Sequence, residues 1–305
     1  MKNTVLIALL LFSFYSKAQS DTIRYEIIEN NLDYNYIGGG LSYTAEISGY
    51  NLALAGLGFN VKFYNPKFDA SLNLKKHFYE GDESMQNNAY SVLGKSQSSD
   101  MDVNFNYYIS NKNKNNEISV SLARVDDVKY VTYVKAKTAV RYGVDLGFKS
   151  GRTFYNFGDY EFEKDDFGNS GQPLFNAPIS SYLNYNILTL GFNKVEVEGL
   201  TIETKRFGIK KTHSFVKIYG RALILLSSKF DDVLIENGAD LIAYKVNDVN
   251  RLPVGFMIGY EHYSMGKIFH AGWGAEIGIT PGASVGITNN LSLNIKVIIN
   301  LGKRF

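Results

Sequence analysis

From Tyr36 onward, apolar and polar residues alternate with a period of two. The clearest run is the last one. Leu291, Leu293, Ile295, Val297, Ile299, Leu301 and Phe305 hold odd positions, and Lys303 alone breaks their row. Ser292, Asn294, Lys296, Asn300, Gly302 and Arg304 hold even ones. Successive side chains of a strand point to opposite faces, so this period predicts a strand with one apolar and one polar face. The same pattern predicts strands over 57–64 and 68–75, joined by a tight turn at Asn65-Pro66 into an antiparallel hairpin. Further strands are expected over 101–110, 118–123, 140–149, 200–210, 215–226, 252–261 and 269–279. The run 182–197 slips phase near Ile187-Leu188, as a β-bulge would make it do. Gly38-Gly39-Gly40 marks a flexible strand start or a close approach of backbone or plug. The total is about twelve strands, within a range of roughly ten to fourteen.

The segments between are of unequal kind. A polar loop is expected over 79–99 and a charged turn over 110–116. The longest interruption, 151–178, mixes aromatics such as Phe154, Tyr155 and Phe157 with acids such as Asp159 and Glu161. It reads as a self-packed surface loop, or as a partner surface or lid, since long loops tend to carry function. Within it, Asp165-Asp166-Phe167-Gly168-Asn169 lacks the alternating ligands of a calcium loop. The stretch 230–249 allows either a short helix behind Asp231-Asp232 or a twisted strand pair.

The strand runs reach about ten residues, near the 9–11 that cross a bilayer and above the usual length in soluble sheets. Their apolar faces carry no charge, while the polar faces carry Asp, Arg, Lys and Asn. With its final strand ending on Phe305, the chain resembles the outer-membrane β-barrel proteins of Gram-negative bacteria. That resemblance implies an all-β, antiparallel transmembrane barrel. It also implies that Phe305 closes the strand read by the barrel-assembly machinery, and that the barrel sits among outer-membrane lipid.

Composition agrees with this reading. The chain has 305 residues, with 22 Tyr, 20 Phe and 28 Gly against 5 Pro, which suits strands and interfacial aromatic girdles. With 32 basic and 30 acidic residues, no nucleic-acid partner is implied. There is no Cys, which excludes disulfides and thiolate metal sites. Lys2, the apolar run 5–15 and Ser16-Lys17-Ala18 form the pattern of a cleaved signal peptide. The expected organisation is a signal peptide over 1–18, a periplasmic N-terminal tail over 19–35 and a barrel over 36–305.

Chemistry is sparse. His77, His213, His262 and His270 show no paired metal spacing, and no phosphate-binding Gly loop is present, so no metal or cofactor is expected. His262-Tyr263-Ser264 with Glu276 downstream resembles the lipid A deacylase family of outer-membrane hydrolases, which implies a base, a nucleophile and an orienting acid. Met265 stands where that family has Asn, and alternation puts His262 and Ser264 on the apolar face but Glu276 on the polar one. Lys62, Asp69, Lys75, Arg141, Asp145, Lys149 and Lys296 are expected to face the lumen with mixed sign. The leading functional expectation is a non-enzymatic subunit of a larger outer-membrane assembly or secretion complex, with other outer-membrane proteins as partners. The alternatives are a narrow channel for small solutes and, behind it, a lipid hydrolase.

Overall fold

The alternating segments pair with one another in chain order. A computed structural model describes residues 24–48, 52–81, 98–125, 128–156, 180–231, 233–237, 240–244, 251–265, 269–283 and 290–305. Its strands are β1 (Tyr25–Asn30), β2 (Tyr36–Ser48), β3 (Leu52–Tyr64), β4 (Phe68–Gly81), β5 (Ser99–Val125), β6 (Val128–Asn156), β7 (Ser180–Thr204) and β8 (Gly208–Phe230). They continue with β9 (Val233–Asn237), β10 (Asp240–Tyr244), β11 (Arg251–Leu252), β12 (Val254–Met265), β13 (Phe269–Ile279), β14 (Gly282–Ala283) and β15 (Leu291–Arg304). β2 to β8 pair consecutively, β8 pairs β12, β12 pairs β13, β13 pairs β15, and β15 returns to β2. The sheet is thus a closed antiparallel barrel of ten strands, with β1 as one extra strand on β7. Closure leaves the barrel wall no unpaired edge.

The count of about twelve strands is corrected to ten, for two reasons. Residues 110–116, expected as a turn, are part of one continuous β5 that runs from Ser99 to Val125. Residues 200–210, expected as a strand of their own, are the end of β7, a turn and the start of β8. In both places the strands run on past the barrel wall: residues 111–117 are exposed, whereas Leu200, Thr201 and Ile202 are buried, so neither stretch shows one apolar and one polar face. Other expectations are met. The hairpin at Asn65 is present, with the Asn65 side-chain oxygen accepting from the backbone N–H of Lys67 (2.7 Å) and Phe68 (3.0 Å). A register shift lies between Asn186 and Ile187. Within 230–249 the strand pair is realised, β9 on β10. The stretch 157–179, which holds most of the long interruption, lies outside the described residues.

The two ends of the barrel differ. β2, β4, β6, β8 and β13 begin, and β3, β5, β7, β12 and β15 finish, at the end that holds Tyr36 and Phe305, here the turn end. The opposite ends of the same strands make the other, the loop end. The outer wall is apolar: Leu41, Leu57, Phe59, Phe105, Leu146, Phe192, Ile218, Phe256, Trp273 and the odd residues of β15 from Leu291 to Leu301 are all exposed. Phe192 is 73% exposed and Leu41 is 68%, values that water would penalise. Charged neighbours such as Lys76, Lys194 and Lys303 stand toward the ends of this belt.

Two hairpins outrun the barrel at the turn end. β4 stops pairing β5 at Phe68 opposite Tyr107, yet β5 and β6 stay paired to Val125 opposite Val128. β6 stops pairing β7 at Ala139 opposite Val197, yet β7 and β8 stay paired to Thr204 opposite Gly208. β1 pairs β7 over this same extension, Tyr25 with Thr204 through Asn30 with Leu200. At the fork between β6 and β7 the Asn30 amide faces the Lys137 N–H and the Lys137 and Gly199 carbonyls, and the amide orientation that satisfies all three, oxygen to the N–H at 2.7 Å and nitrogen to the carbonyls at 3.2 Å each, bridges the parted strands. A two-stranded ribbon is marginal in water by itself. Here Ile118, Val120, Leu122, Val134 and Ala136 of one hairpin bury against Leu200 and Ile202 of the other, with Phe207 packed on them. The extension therefore has a small core of its own, separate from the barrel.

Candidate functional site: the sealed lumen

The inner wall is built by the polar half of the alternation. Glycines on β12 and β13 leave room for large side chains from neighbouring strands to lie across the wall. A Cβ at Gly259 would collide with the Tyr219 ring, and one at Gly272 would stand 2.7 Å from the Tyr263 ring. Gly38 does the same for Tyr36 at the turn end, which is the close approach expected of the triple glycine.

At the turn end the mouth is filled. Leu32, Tyr34, Tyr36, Tyr64, Tyr108, Ala139, Val195, Val197, Phe215, Tyr263, Met265 and Ile298 form one buried cluster. Of the stretch 19–35, the described part is therefore β1 followed by a segment that crosses the barrel mouth. Arg141 fixes that segment. It is fully buried, and its Nη2 donates to the Leu32 carbonyl and to Asp33 Oδ1, each at 3.0 Å. Its guanidinium also stands 5.3 Å from the Tyr64 ring centroid. The Tyr34 hydroxyl donates to Met265 Sδ at 3.4 Å. Burial holds the Tyr34 phenol above its usual range, a rise that the nearby Arg304 and Arg141 charges oppose. Backbone bonds between Asn35 and Phe305, 2.9 and 3.0 Å, tie the segment to the last residue of the chain.

Above the plug lies a chain of paired charges. Lys62 is 3.6 Å from Glu261 and about 4 Å from the ring centroids of Phe215 and Tyr263. Asp69 accepts from Asn106 (2.7 Å) and the Tyr108 hydroxyl, and faces Lys217 at 3.5 Å. Lys217 reaches on to Asp145 (3.7 Å), which accepts from Arg221 (2.8 Å). Lys296 pairs with Glu261 and stands 4.0 Å from Glu276, which accepts from Asn294 (3.2 Å) and the Tyr219 hydroxyl. Lys62, Lys217, Arg221 and Lys296 thus meet Asp69, Asp145, Glu261 and Glu276 in equal number. Such a balanced network rigidifies the lumen and sets up no one-signed field to select an ion.

Toward the loop end, Lys75 lies between Glu46 (3.1 Å) and Asp100 (2.7 Å), and Asp100 also accepts from the Tyr185 hydroxyl. Glu46, His77 and Asp100 come within 4.8 Å of one another, close enough to share a metal ion. The Lys75 ammonium already occupies both carboxylates, so this geometry is an ion-pair cluster. Next to it is a cavity of about 80 Å³ bordered by Asp102, Lys149, Thr189, Arg221, Asn294 and Lys296. That is room for a few water molecules. The plug stands between this cavity and the turn end.

The seven polar residues singled out in the sequence come together here: Lys62, Asp69, Arg141 and Asp145 are buried in the lumen, and Lys75, Lys149 and Lys296 border the loop-end cavity. His262, Ser264 and Glu276 do not come together. Ser264 is exposed on the outer wall, and His262 shares its outward parity opposite Trp273, whereas Glu276 is inside with Tyr219 and Asn294. The wall therefore separates acid from base. Phe305 is exposed at the turn end. Sequence reasoning missed Lys217, Arg221, Glu261 and Asp100, although each sits at an inward position of an alternating strand. It also missed Leu32 and Tyr34, whose irregular segment has no period to read.

No family model matches the chain, and no curated protein matches it. Among solved structures it is similar to the anion-selective porin from Comamonas acidovorans, at 9% identity and a TM-score of 0.19 over 92% of this chain and 100% of that one. It is also similar to OpdK of Pseudomonas aeruginosa, determined with vanillate, at 8% identity and a TM-score of 0.17 over 89% of this chain and 99% of that one. At such TM-scores neither likeness carries an argument about function.

Proposed function

We propose that the chain is an outer-membrane β-barrel with a closed lumen, and that it serves as a non-enzymatic subunit which anchors an extra-membrane module for a larger complex. The observation that carries this reading is the plug. An apolar outer belt fits hydrocarbon, but the turn end is filled by the 31–36 segment and the ring of Tyr64, Tyr108, Phe215 and Tyr263. A conducting pore needs a continuous aqueous path. Ten strands also give a narrow bore, since open porins use 16–18 strands. By the usual topology of such barrels, short turns and both termini face the periplasm, so the β5–β6 and β7–β8 extensions project there.

The second reading, a narrow channel for small solutes, draws on the water-sized cavity at the loop end. Planar-bilayer recording of the purified full chain separates the two. The subunit reading expects no single-channel steps, together with recovery of other membrane proteins alongside it in mild detergent. Reproducible steps from the pure protein would overturn it in favour of the channel. A hydrolase based on His262 and Ser264 is not carried forward, because Glu276 lies across the wall from both.

A further inference from the structure

The β5–β6 extension carries one feature that the barrel abolishes, a long free strand edge. Among the described residues, β5 from Ser110 to Ala123 pairs only with β6. At ~3.3 Å per residue the edge runs for about 45 Å. It is held rigid because the Ile118, Val120 and Leu122 face is sealed by the core with Leu200 and Ile202. Nearer the barrel, residues 111–117 are all exposed. Lys112 and Lys114 stand on the edge strand, Lys135 and Lys137 are exposed on β6 beside it, and Glu117 is the acid among them.

We infer that this edge is a docking site for an extended, acidic segment of a periplasmic partner, which adds to β5 as a further strand. Unpaired N–H and C=O groups supply the backbone bonds of such strand addition. The lysines supply the choice of partner. Lysine on an edge blocks pairing with a like edge, so two copies of this chain repel one another there. A strand bearing carboxylates reverses that sign and gains where a second copy loses. The inference takes only its compartment from the function proposed above, and conductance or silence in a bilayer leaves it standing.

The test uses the detergent-solubilised full chain and two synthetic twelve-residue peptides, one alternating Thr with Glu, the other Thr with Lys. Fluorescence anisotropy at low salt should show the Glu peptide binding at least tenfold more tightly than the Lys peptide. Amide exchange over residues 110–117 should slow only with the Glu peptide. The pair Lys112→Glu and Lys114→Glu lies on exposed positions and should leave the barrel's heat-modifiable migration unchanged, while reversing the order of the peptides. The inference is overturned if neither peptide binds, if both bind equally, if exchange over 110–117 is unmoved, or if the chain dimerises through this edge.

Discussion

Arg141 is the residue on which the turn-end seal depends most. A guanidinium with no exposure is tolerable only because it is bonded to Leu32 and Asp33 and faces the Tyr64 ring. Bonds to a charged donor are worth about 1.5–3 kcal/mol each. Arg141→Gln is therefore expected to raise amide exchange over residues 31–35 by roughly ten- to a hundredfold, at about 1.4 kcal/mol per tenfold, while β12 and β15 hold. Exchange mass spectrometry reads this directly, and equal protection in both proteins would remove Arg141 from the seal. Tyr34 adds a pH dependence. A phenol held protonated by burial contributes stability that is complete below its ordinary range, near pH 10, and is lost as pH rises above it. The segment 31–35 is expected to loosen above about pH 10 in the native chain. Tyr34→Phe should weaken that dependence, seen as flatter exchange against pH.

At the scale of elements, the extension and the barrel are separate packing units. Leu122 is buried among Ile118, Val120, Leu200 and Ile202, with no contribution from lumen residues to that cluster. Leu122→Ala is expected to cost about 2–4 kcal/mol locally, as large-to-small core changes do. Exchange should rise over 112–136 and stay fixed over 101–107, and melting of both together would show one cooperative unit instead. This division also explains what could be read from the sequence. β12, β13 and β15 were legible because one side meets an apolar surround and the other a polar lumen, which writes the period of two into the chain. Residues 111–116 have solvent on both sides, so Asn and Lys fill every position and no period marks the strand. The turn expected there is the error this produces, and one of the two extra strands follows from it, the other coming from 200–210. The plug was illegible for a further reason. Arg141 and Leu32 are 109 residues apart, and a contact between a strand and an irregular segment leaves no local pattern.

For the whole molecule, inside and outside are inverted relative to a water-soluble protein. Charges such as Asp69, Lys217 and Asp145 are buried, while Leu41, Phe192 and Leu301 are exposed. A soluble sheet could not bear that outer wall, and hydrocarbon both permits and requires it. The closed order of ten strands then leaves no wall edge for lipid to meet. The balanced lumen network should contribute to the stability of the barrel as a unit. Asp69→Asn removes the charge facing Lys217 and one of the two oxygens that accept from Asn106 and Tyr108, and is expected to cost about 3–5 kcal/mol. Guanidinium unfolding in detergent measures it, and a loss under 1 kcal/mol would show that the network contributes little.

The most direct test of the account asks what touches the outer wall. The chain has no Cys, so single cysteines introduced from 291 to 301 carry one spin label each without background. In protein reconstituted into lipid vesicles, labels at 291, 293, 295, 297, 299 and 301 should collide freely with oxygen and be shielded from a water-soluble nickel complex. That shielding should peak near Ile295 and Val297, and labels at the even positions between should collide with neither. Odd-position labels that meet the nickel complex as readily as oxygen would place this face in water and contradict the barrel's insertion in a membrane.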